Sequence, residues 1–422
     1  MAVISVLAAG TRGDAQPPAM LCRELARRGH EVRFIAQREF ADMIEGSDVS
    51  LKPLPGNLHA ELSSPDAQKF FNGSGNPLTF LRWFYDVGKK FGAQLTPAMV
   101  DFTAGSDIVV GTGLADYFSN LMARVHKTKA AHAYMQPAVP TRAFPCALIS
   151  VPPFDMPGWL NKLEARIYFE AAWLGARPIA KIAHEILRLP PPSWRVPILE
   201  ELHRGQPFLM AYSEAFLPRP KDWPDHVEVT GFWFRDTPAS WQPPGDLVRF
   251  INAGPPPIYA GFGSMVMKDP EATVNMVLEA VARNNARAVI AEGWSGYKPG
   301  KLPGNIYAVD SIPHDWLLPQ MAAAIHHGGA GTTGASLRAG IPQIVVPFVG
   351  DQPFWGLQVE KRGVGPRRIP HKSLTAAQLS EAIAKVLNDQ AMRKRAVAMG
   401  ERVRGENGLK RAANLIEERL RT

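Results

Sequence analysis

The chain has 422 residues, 46% of them hydrophobic, which exceeds the usual size of a single core and can fill two. Only Cys22 and Cys146 occur, so a disulfide scaffold is excluded and reduced thiols are the default. The net charge is +8 with no recognisable nucleic-acid module, the opening AVISVLAA lacks the basic region and cleavage site of a signal peptide, and no uncharged run reaches the length of a membrane span. A cytoplasmic chain that does not bind nucleic acid is expected.

Residues 2–8 form a continuous apolar run of the kind found in parallel sheets. Pro17 and Pro18 suit a helix start, Leu21 and Leu25 recur at helical spacing, and Gly29 closes the helix. The loop GTRGD then hangs at the sheet's carboxyl edge, where open α/β sheets bind ligands, and presents Arg12 and Asp14. Asp14 reads either as a cap of the following helix or as a general base. Further strands are expected near Val32, Val109 and Ala131. Between them, residues 78–102 place Leu81, Phe84, Tyr85, Gly88, Phe91 and Leu95 near one helical face. Residues 135–160 are Pro-rich and apolar, long enough for a binding loop, and offer Phe144, Phe154, Met156 and Trp159 for an apolar ligand. Loop packing is the plainer reading of those four side chains.

Pro, Gly and polar residues gather over 234–257 around a short helix-like segment, a stiff connector. The division expected is a first domain over 1–238, a Pro-rich linker over 239–257, a second domain over 258–405 and a terminal helix over 406–422. In the second domain IYAGFGSM, ARAVIA, IYAV, AAAIHH and QIVVPF alternate with helical stretches, so two doubly wound sheets are expected to face each other. Gly263 and Ser264 end one of these strands, and Ser311 with Ile312 ends another.

Residues 326–355 carry the strongest local signal. AAAIHH ends at two histidines; Gly328, Gly329 and Gly331 then allow positive φ and close backbone approach, and the stretch from Thr332 to Ala339 starts a helix whose free amides attract anions. His327 and Thr332 add donors to this phosphate turn. Gly340 is a helix C-cap, and Asp351 with Gln352 emerges after the next strand, a carboxylate and an amide suited to sugar hydroxyls. In the tail, residues 391–422 hold nine Lys or Arg against four Glu and read as two helices split near Asn407 and Gly408. Their charge reads either as a solvated basic face or as a patch for peripheral contact with an anionic membrane at its inner face.

The 326–355 stretch resembles the donor signature of the UDP-glycosyltransferase superfamily, and LRAGIP and GDQPFWG are similar to sterol 3-β-glucosyltransferases of bacteria and fungi. The resemblance implies an α/β fold of GT-B type, two Rossmann-like domains across a cleft, with the terminal helix crossing back to the first domain. It implies that His327 touches a phosphate, that Gly329, Ala330, Gly331 and Thr332 cradle the diphosphate, and that Asp351 and Gln352 hold hexose hydroxyls. Gly263 and Ser264 resemble a second phosphate contact, and the main chain of Ile312 beside Ser311 resembles a uracil site. Asp14 inherits the role of general base that related sterol and antibiotic transferases give this loop. Two positions depart from plant members of the superfamily: Ala335 stands where they bind ribose with a glutamate, and Ser311 where they stack uracil on tryptophan.

The expected activity is inverting transfer of a hexose, glucose from UDP-glucose, to a sterol or similar hydrophobic acceptor. No DxD-type motif lies beside the donor signature, so no cofactor and no metal are expected. The alternatives are the same chemistry on a macrolide, glycopeptide, carotenoid or flavonoid, and a non-catalytic sugar-nucleotide-binding partner of another transferase.

Overall fold

A computed structural model describes residues 1–55, 77–149, 154–263, 265, 269–292 and 302–421. The first domain contains β1 (Val3–Leu7), α1 (Arg12–Arg27), β2 (Glu31–Ala36), β3 (Val49–Pro53), α2 (Pro77–Thr103), β4 (Ile108–Thr112), α3 (Asp116–Val125), β5 (Lys129–Tyr134), α4 (Gly158–Ile186), α5 (Pro197–His203), β6 (Phe208–Met210) and β7 (Val227–Val229). Its strands form one parallel sheet in the order β3-β2-β1-β4-β5-β6-β7.

The second domain follows with α6 (Gly245–Asn252), β8 (Ile258–Gly261), α7 (Pro270–Arg283), β9 (Ala288–Ala291), β10 (Ile306–Val309), α8 (His314–Leu317), β11 (Ala323–His326), α9 (Ala330–Ala339), β12 (Gln343–Val345), α10 (Gln352–Lys361), α11 (Ala376–Asn388), α12 (Gln390–Gly405) and α13 (Gly408–Arg421). Its parallel sheet runs β10-β9-β8-β11-β12. Both sheets reverse direction of winding between two central neighbours, β1 and β4 in one and β8 and β11 in the other. Such switch points open crevices at the strands' carboxyl ends. They position the site.

Three expectations change in detail. The first helix starts at Arg12, five residues before Pro17, because Asp14 and Ala15 donate their amides to Thr11 O at 3.0 and 3.1 Å and close a turn ahead of the prolines. Asp14 therefore sits in a helix's first turn and not in a hanging loop. The helix after β11 likewise starts at Ala330, two residues before Thr332, with Gly329 as its N-cap, while Gly340 (φ 74°) closes it as expected. Of the glycines in that turn, Gly328 alone has a positive φ, 90°.

The tail does split at Asn407, but its last helix has no free apolar face. Ala412, Ala413 and Ile416 are fully buried in the core that α1 shares. Arg28 reaches across to Glu417 (3.1 Å), Asn414 (2.6 Å) and Lys410 O (3.1 Å), and Arg411 pairs with Glu228 at 2.6 Å. The last helix thus fastens the chain's end onto the first domain.

The short helix α6 inside the Pro-rich segment sends Leu247 and Ile251 into a core with Tyr259, Val309 and Leu317 of the second sheet. Between the domains lies an apolar core shared by both. Trp355, fully buried on α10, packs its ring 5.7 Å from Tyr212 and 6.1 Å from Phe216 of the first domain. Phe144 meets Phe354 at 5.4 Å and Trp223 at 6.2 Å.

Candidate active site

Asp14 is held by the residue that caps its own helix. The amide of Thr11 donates to Oδ2 at 2.7 Å and the Thr11 hydroxyl donates to the same oxygen at 3.0 Å, leaving Oδ1 with no partner among the described residues. Burial raises the Asp14 pKa, and the two Thr11 hydrogen bonds pull it back only in part. Gly10 makes this seat: its φ is 136°, and a Cβ there would lie 2.3 Å from Asp14 Oδ2. The sequence reading passed over Gly10, although a glycine four residues before an N-terminal carboxylate is the signal.

On the second sheet the two histidines divide the work. His326 accepts the Gly328 amide on Nδ1 at 3.0 Å and lies 2.9 Å from Gln343 Oε1 through Nε2, so it shapes the turn from inside. Burial pushes its pKa down to about 3. His327 faces the turn. A Cβ on Gly329 would stand 2.5 Å from its Nε2 and one on Gly263 would stand 3.1 Å from its Cε1, so both glycines lie flush against the ring. Its Nδ1 is buried without a partner among the described residues. Burial, aided by His314, lowers its pKa to about 4, and the ring is neutral at pH 7.

The first intrahelical amide bond of α9 is from Thr333 to Gly329 O, 2.9 Å. The amides of Ala330, Gly331 and Thr332 precede it and point out of the helix start beside His327. Gly263, Gly329 and His327 meet because β8 and β11 are neighbours, Gly261 standing opposite His326. Ser264 lies outside the described residues. Ser311 is exposed just past β10, with Ile312 half-buried against the second core.

Asp351 and Gln352 begin α10. Asp351 accepts Trp355 Nε1 on Oδ2 at 2.7 Å. Burial lifts its pKa to about 6, Trp355 opposes this, and the charge of Asp14 from the other domain adds to the lift. Gln352 is buried and already engaged: Oε1 accepts the amides of Phe348 (2.8 Å) and Val349 (3.2 Å), and Nε2 points at Met265 Sδ, 3.1 Å away. Its carbonyl therefore shapes the loop that carries Asp351.

His314, read in sequence as part of an ordinary turn, joins the site. Its Nε2 lies 3.1 Å from the Tyr259 hydroxyl, and burial with the nearby charge of Arg12 lowers its pKa to about 4, Asp315 opposing. Arg12 itself is exposed at the start of α1, its Nε on Gln16 Oε1 at 3.3 Å. The charges of Arg12 and Asp14 thus act on His314 and Asp351 across the cleft. One site is built from both sheets.

The acceptor-side candidates separate. Phe144 is 9% exposed and packs between Trp223 and Phe354. Phe154 (67% exposed) and Trp159 (63%) are open to solvent, and Met156 lies half-buried between them in sequence. The side chain of Phe84, on α2, falls outside the described residues.

Comparison with known proteins bears on this arrangement. Residues 4–91 match the glycosyltransferase family 28 N-terminal domain, and residues 275–408 match the erythromycin biosynthesis protein CIII-like C-terminal domain. Across 98% of its length the chain is 34% identical to a sterol 3-beta-glucosyltransferase of Yarrowia lipolytica, and across 99% it is 32% identical to one of Arabidopsis thaliana. It spans 28% of the length of the first and 65% of the second. The calicheamicin glycosyltransferase CalG4 superposes over 100% of this chain and 98% of its own, at a TM-score of 0.70 and 19% identity. SnogD from Streptomyces nogalater superposes over 99% of both chains, at 0.62 and 20%. The fold is GT-B.

Proposed function

The chain belongs to the UDP-glycosyltransferase superfamily, and we propose that it transfers a hexose, glucose from UDP-glucose, to the hydroxyl of a sterol or similar hydrophobic acceptor. The observation that carries the reading is Asp14 at the start of α1, fixed through Oδ2 by Thr11, together with the start of α9, where buried His327 stands against Gly329 and Gly263. A carboxylate with one oxygen fixed and one free faces a turn of unpaired amides.

In this reading Asp14 Oδ1 takes the acceptor's proton as its oxygen attacks the anomeric carbon. The new C–O bond forms on the face opposite the diphosphate, whose C–O bond breaks with the electron pair leaving on phosphate, so configuration inverts. Burial, opposed by the two Thr11 hydrogen bonds, raises the Asp14 pKa and makes it a stronger base than an ordinary aspartate. The amides of Ala330, Gly331 and Thr332 and the neutral His327 ring receive the diphosphate's charge, a preorganised set of donors that supports transfer without a metal. In the same reading Gly263 contacts the diphosphate, Ile312 and Ser311 the base, and Asp351 with the amide nitrogen of Gln352 the hexose.

The test is mass-spectrometric detection of product from the purified chain with UDP-glucose and a sterol, with and without a chelator. Glucoside formed equally in both is the expected result. Tight UDP-glucose binding without turnover on any acceptor would refute the reading, and a chelator-sensitive rate would refute its metal-free form.

A further inference from the structure

Of the eleven large hydrophobic side chains left exposed among the described residues, eight fall between residues 154 and 194. Four of them, Trp159 (63% exposed), Leu163 (44%), Ile167 (59%) and Leu174 (59%), lie on α4 at spacings of four, four and seven residues. At roughly 100° per residue they share an arc of about 80°. The opposite face of α4 is already satisfied, with Ala165, Trp173, Ala180 and Ala183 buried and Trp173 against Tyr117 at 5.3 Å. The outer stripe has no function in holding the fold together.

Its surroundings select an occupant. Lys162, Arg166, Arg177, Lys181, Arg188 and Arg195 lie along the same segment against Asp155, Glu164, Glu170 and Glu185, and the whole chain carries +8. Of the acids, Asp155 is drawn to Lys361 at 2.5 Å, Glu164 accepts the Cys146 amide at 3.3 Å and Glu185 pairs with Lys181 at 3.6 Å, while Glu170 is exposed. Lys162 reaches Asp222 at 3.5 Å, which leaves Arg166, Arg177, Arg188 and Arg195 as the cations with no carboxylate partner among the described residues. Exposed Trp residues stand at both ends: Trp159 at the first turn, and Trp194 (69% exposed) beyond the last, with the Arg177 guanidinium 3.5 Å over its ring. An apolar stripe bordered by cations and ended by amphipathic rings matches the boundary between anionic head groups and acyl chains. A second copy of this chain would bring a like-charged rim onto its own.

We propose that the outer face of α4, with Trp194, docks on an anionic lipid bilayer. This is a separate surface from the basic tail, whose last helix is committed to α1. The stripe begins where the loop at residues 135–149 and the Asp155–Lys361 pair meet α10, so on the reading of the cleft given above a bilayer-borne acceptor would leave the lipid next to the site. Docking itself does not depend on that reading.

Flotation with phosphatidylcholine vesicles, with and without phosphatidylglycerol, tests it without donor or acceptor. The full chain is expected to float with the anionic vesicles and much less with the neutral ones. The triple variant Leu163→Gln, Ile167→Gln, Leu174→Gln should lose roughly tenfold or more of the bound fraction, because it removes three partly inserted apolar side chains. Arg166→Glu with Lys181→Glu, exposed positions with no role in packing, should weaken binding to anionic vesicles alone. Failure of the unaltered chain to float with either vesicle, or binding untouched by both variants, overturns the proposal. So does a lipid-free dimer that the triple variant dissociates, which would assign the stripe to self-association. Transfer to a detergent-dispersed acceptor should survive the triple variant; if the unaltered chain transfers nothing yet floats, the functional reading falls and the docking surface stands.

Discussion

The turn proposed to hold the donor and the loop over residues 135–149, proposed to line the acceptor side, are held in opposite ways. In the turn, most partners are close in sequence, His326 to Gly328, Asp351 to Trp355 and Gln352 to Phe348, with Gln343 and Met265 the longer reaches. The seat of Asp14 works likewise, through Thr11 and Gly10. The acceptor-side loop is fixed from far away, Thr141 to Asp222, Phe144 to Phe354 and Trp223, Cys146 to Glu164. On the proposed function, the chemistry common to every acceptor is built mostly from local contacts, while the loop proposed to select acceptors depends on contacts from across the fold. The comparison can be broken at four points.

The largest effect belongs to Asp14→Asn. If the carboxylate is the base, turnover should fall by about a thousandfold or more while UDP-glucose affinity stays, since the variant keeps the shape and the general-base contribution is of that order. Steady-state rates with calorimetric donor binding check this, and a fall of less than tenfold would return Asp14 to a helix-capping role. Next comes Phe144→Ala. Truncating a buried aromatic between two others should cost about 3 kcal/mol of stability, seen in a denaturant melt. The same change in a cleft-lining side chain would alter acceptor choice and leave the melt nearly unmoved.

A smaller and more local effect is expected from Gly329→Ala. The N-cap φ of −62° suits alanine, so the backbone tolerates it, but the new methyl would press within 2.5 Å of His327 Nε2 and turn the ring aside. Donor affinity should drop about tenfold, near 1.4 kcal/mol, with little change in melting temperature. Loss of folding instead would show that the turn is as globally held as the acceptor loop.

This contrast also explains what could be read from the amino-acid order. The two parallel sheets were legible because their strands are apolar runs between turn residues, and the phosphate turn because its glycines, His327 and Asp351 stand in one short stretch. The start of α1 was misplaced because two prolines look like a helix beginning, whereas Thr11 had already closed a turn ahead of them. His314 and Tyr259, 55 residues apart, meet only once β8 and β10 join one sheet. Composition marks Phe154 and Trp159 for an apolar contact but does not say that both are exposed, Phe154 ahead of α4 and Trp159 in its first turn.

The smallest expected effect is the most direct probe of the two halves acting as one site. Asp351 is raised to about 6 chiefly by burial, with the Asp14 charge adding to it. A carboxyl raised in the fold contributes stability that is present below its ordinary value of about 3.8 and is lost as pH rises through about 6. The three site histidines run the other way: lowered to between about 3 and 4, they contribute fully above about 6.5 and lose it as pH falls. A melt against pH mixes these slopes and also contains Asp14's own titration, so the carboxyl carbon shift of Asp351 is the measurement that isolates the pair. In Asp14→Asn that titration should move down from about 6 by less than a unit, because only the like-charge contribution is removed and burial remains. An unmoved midpoint would mean that the two carboxylates do not sense each other in solution, and that the cleft stands wider than the packing of Trp355 against Tyr212 and Phe216 sets it.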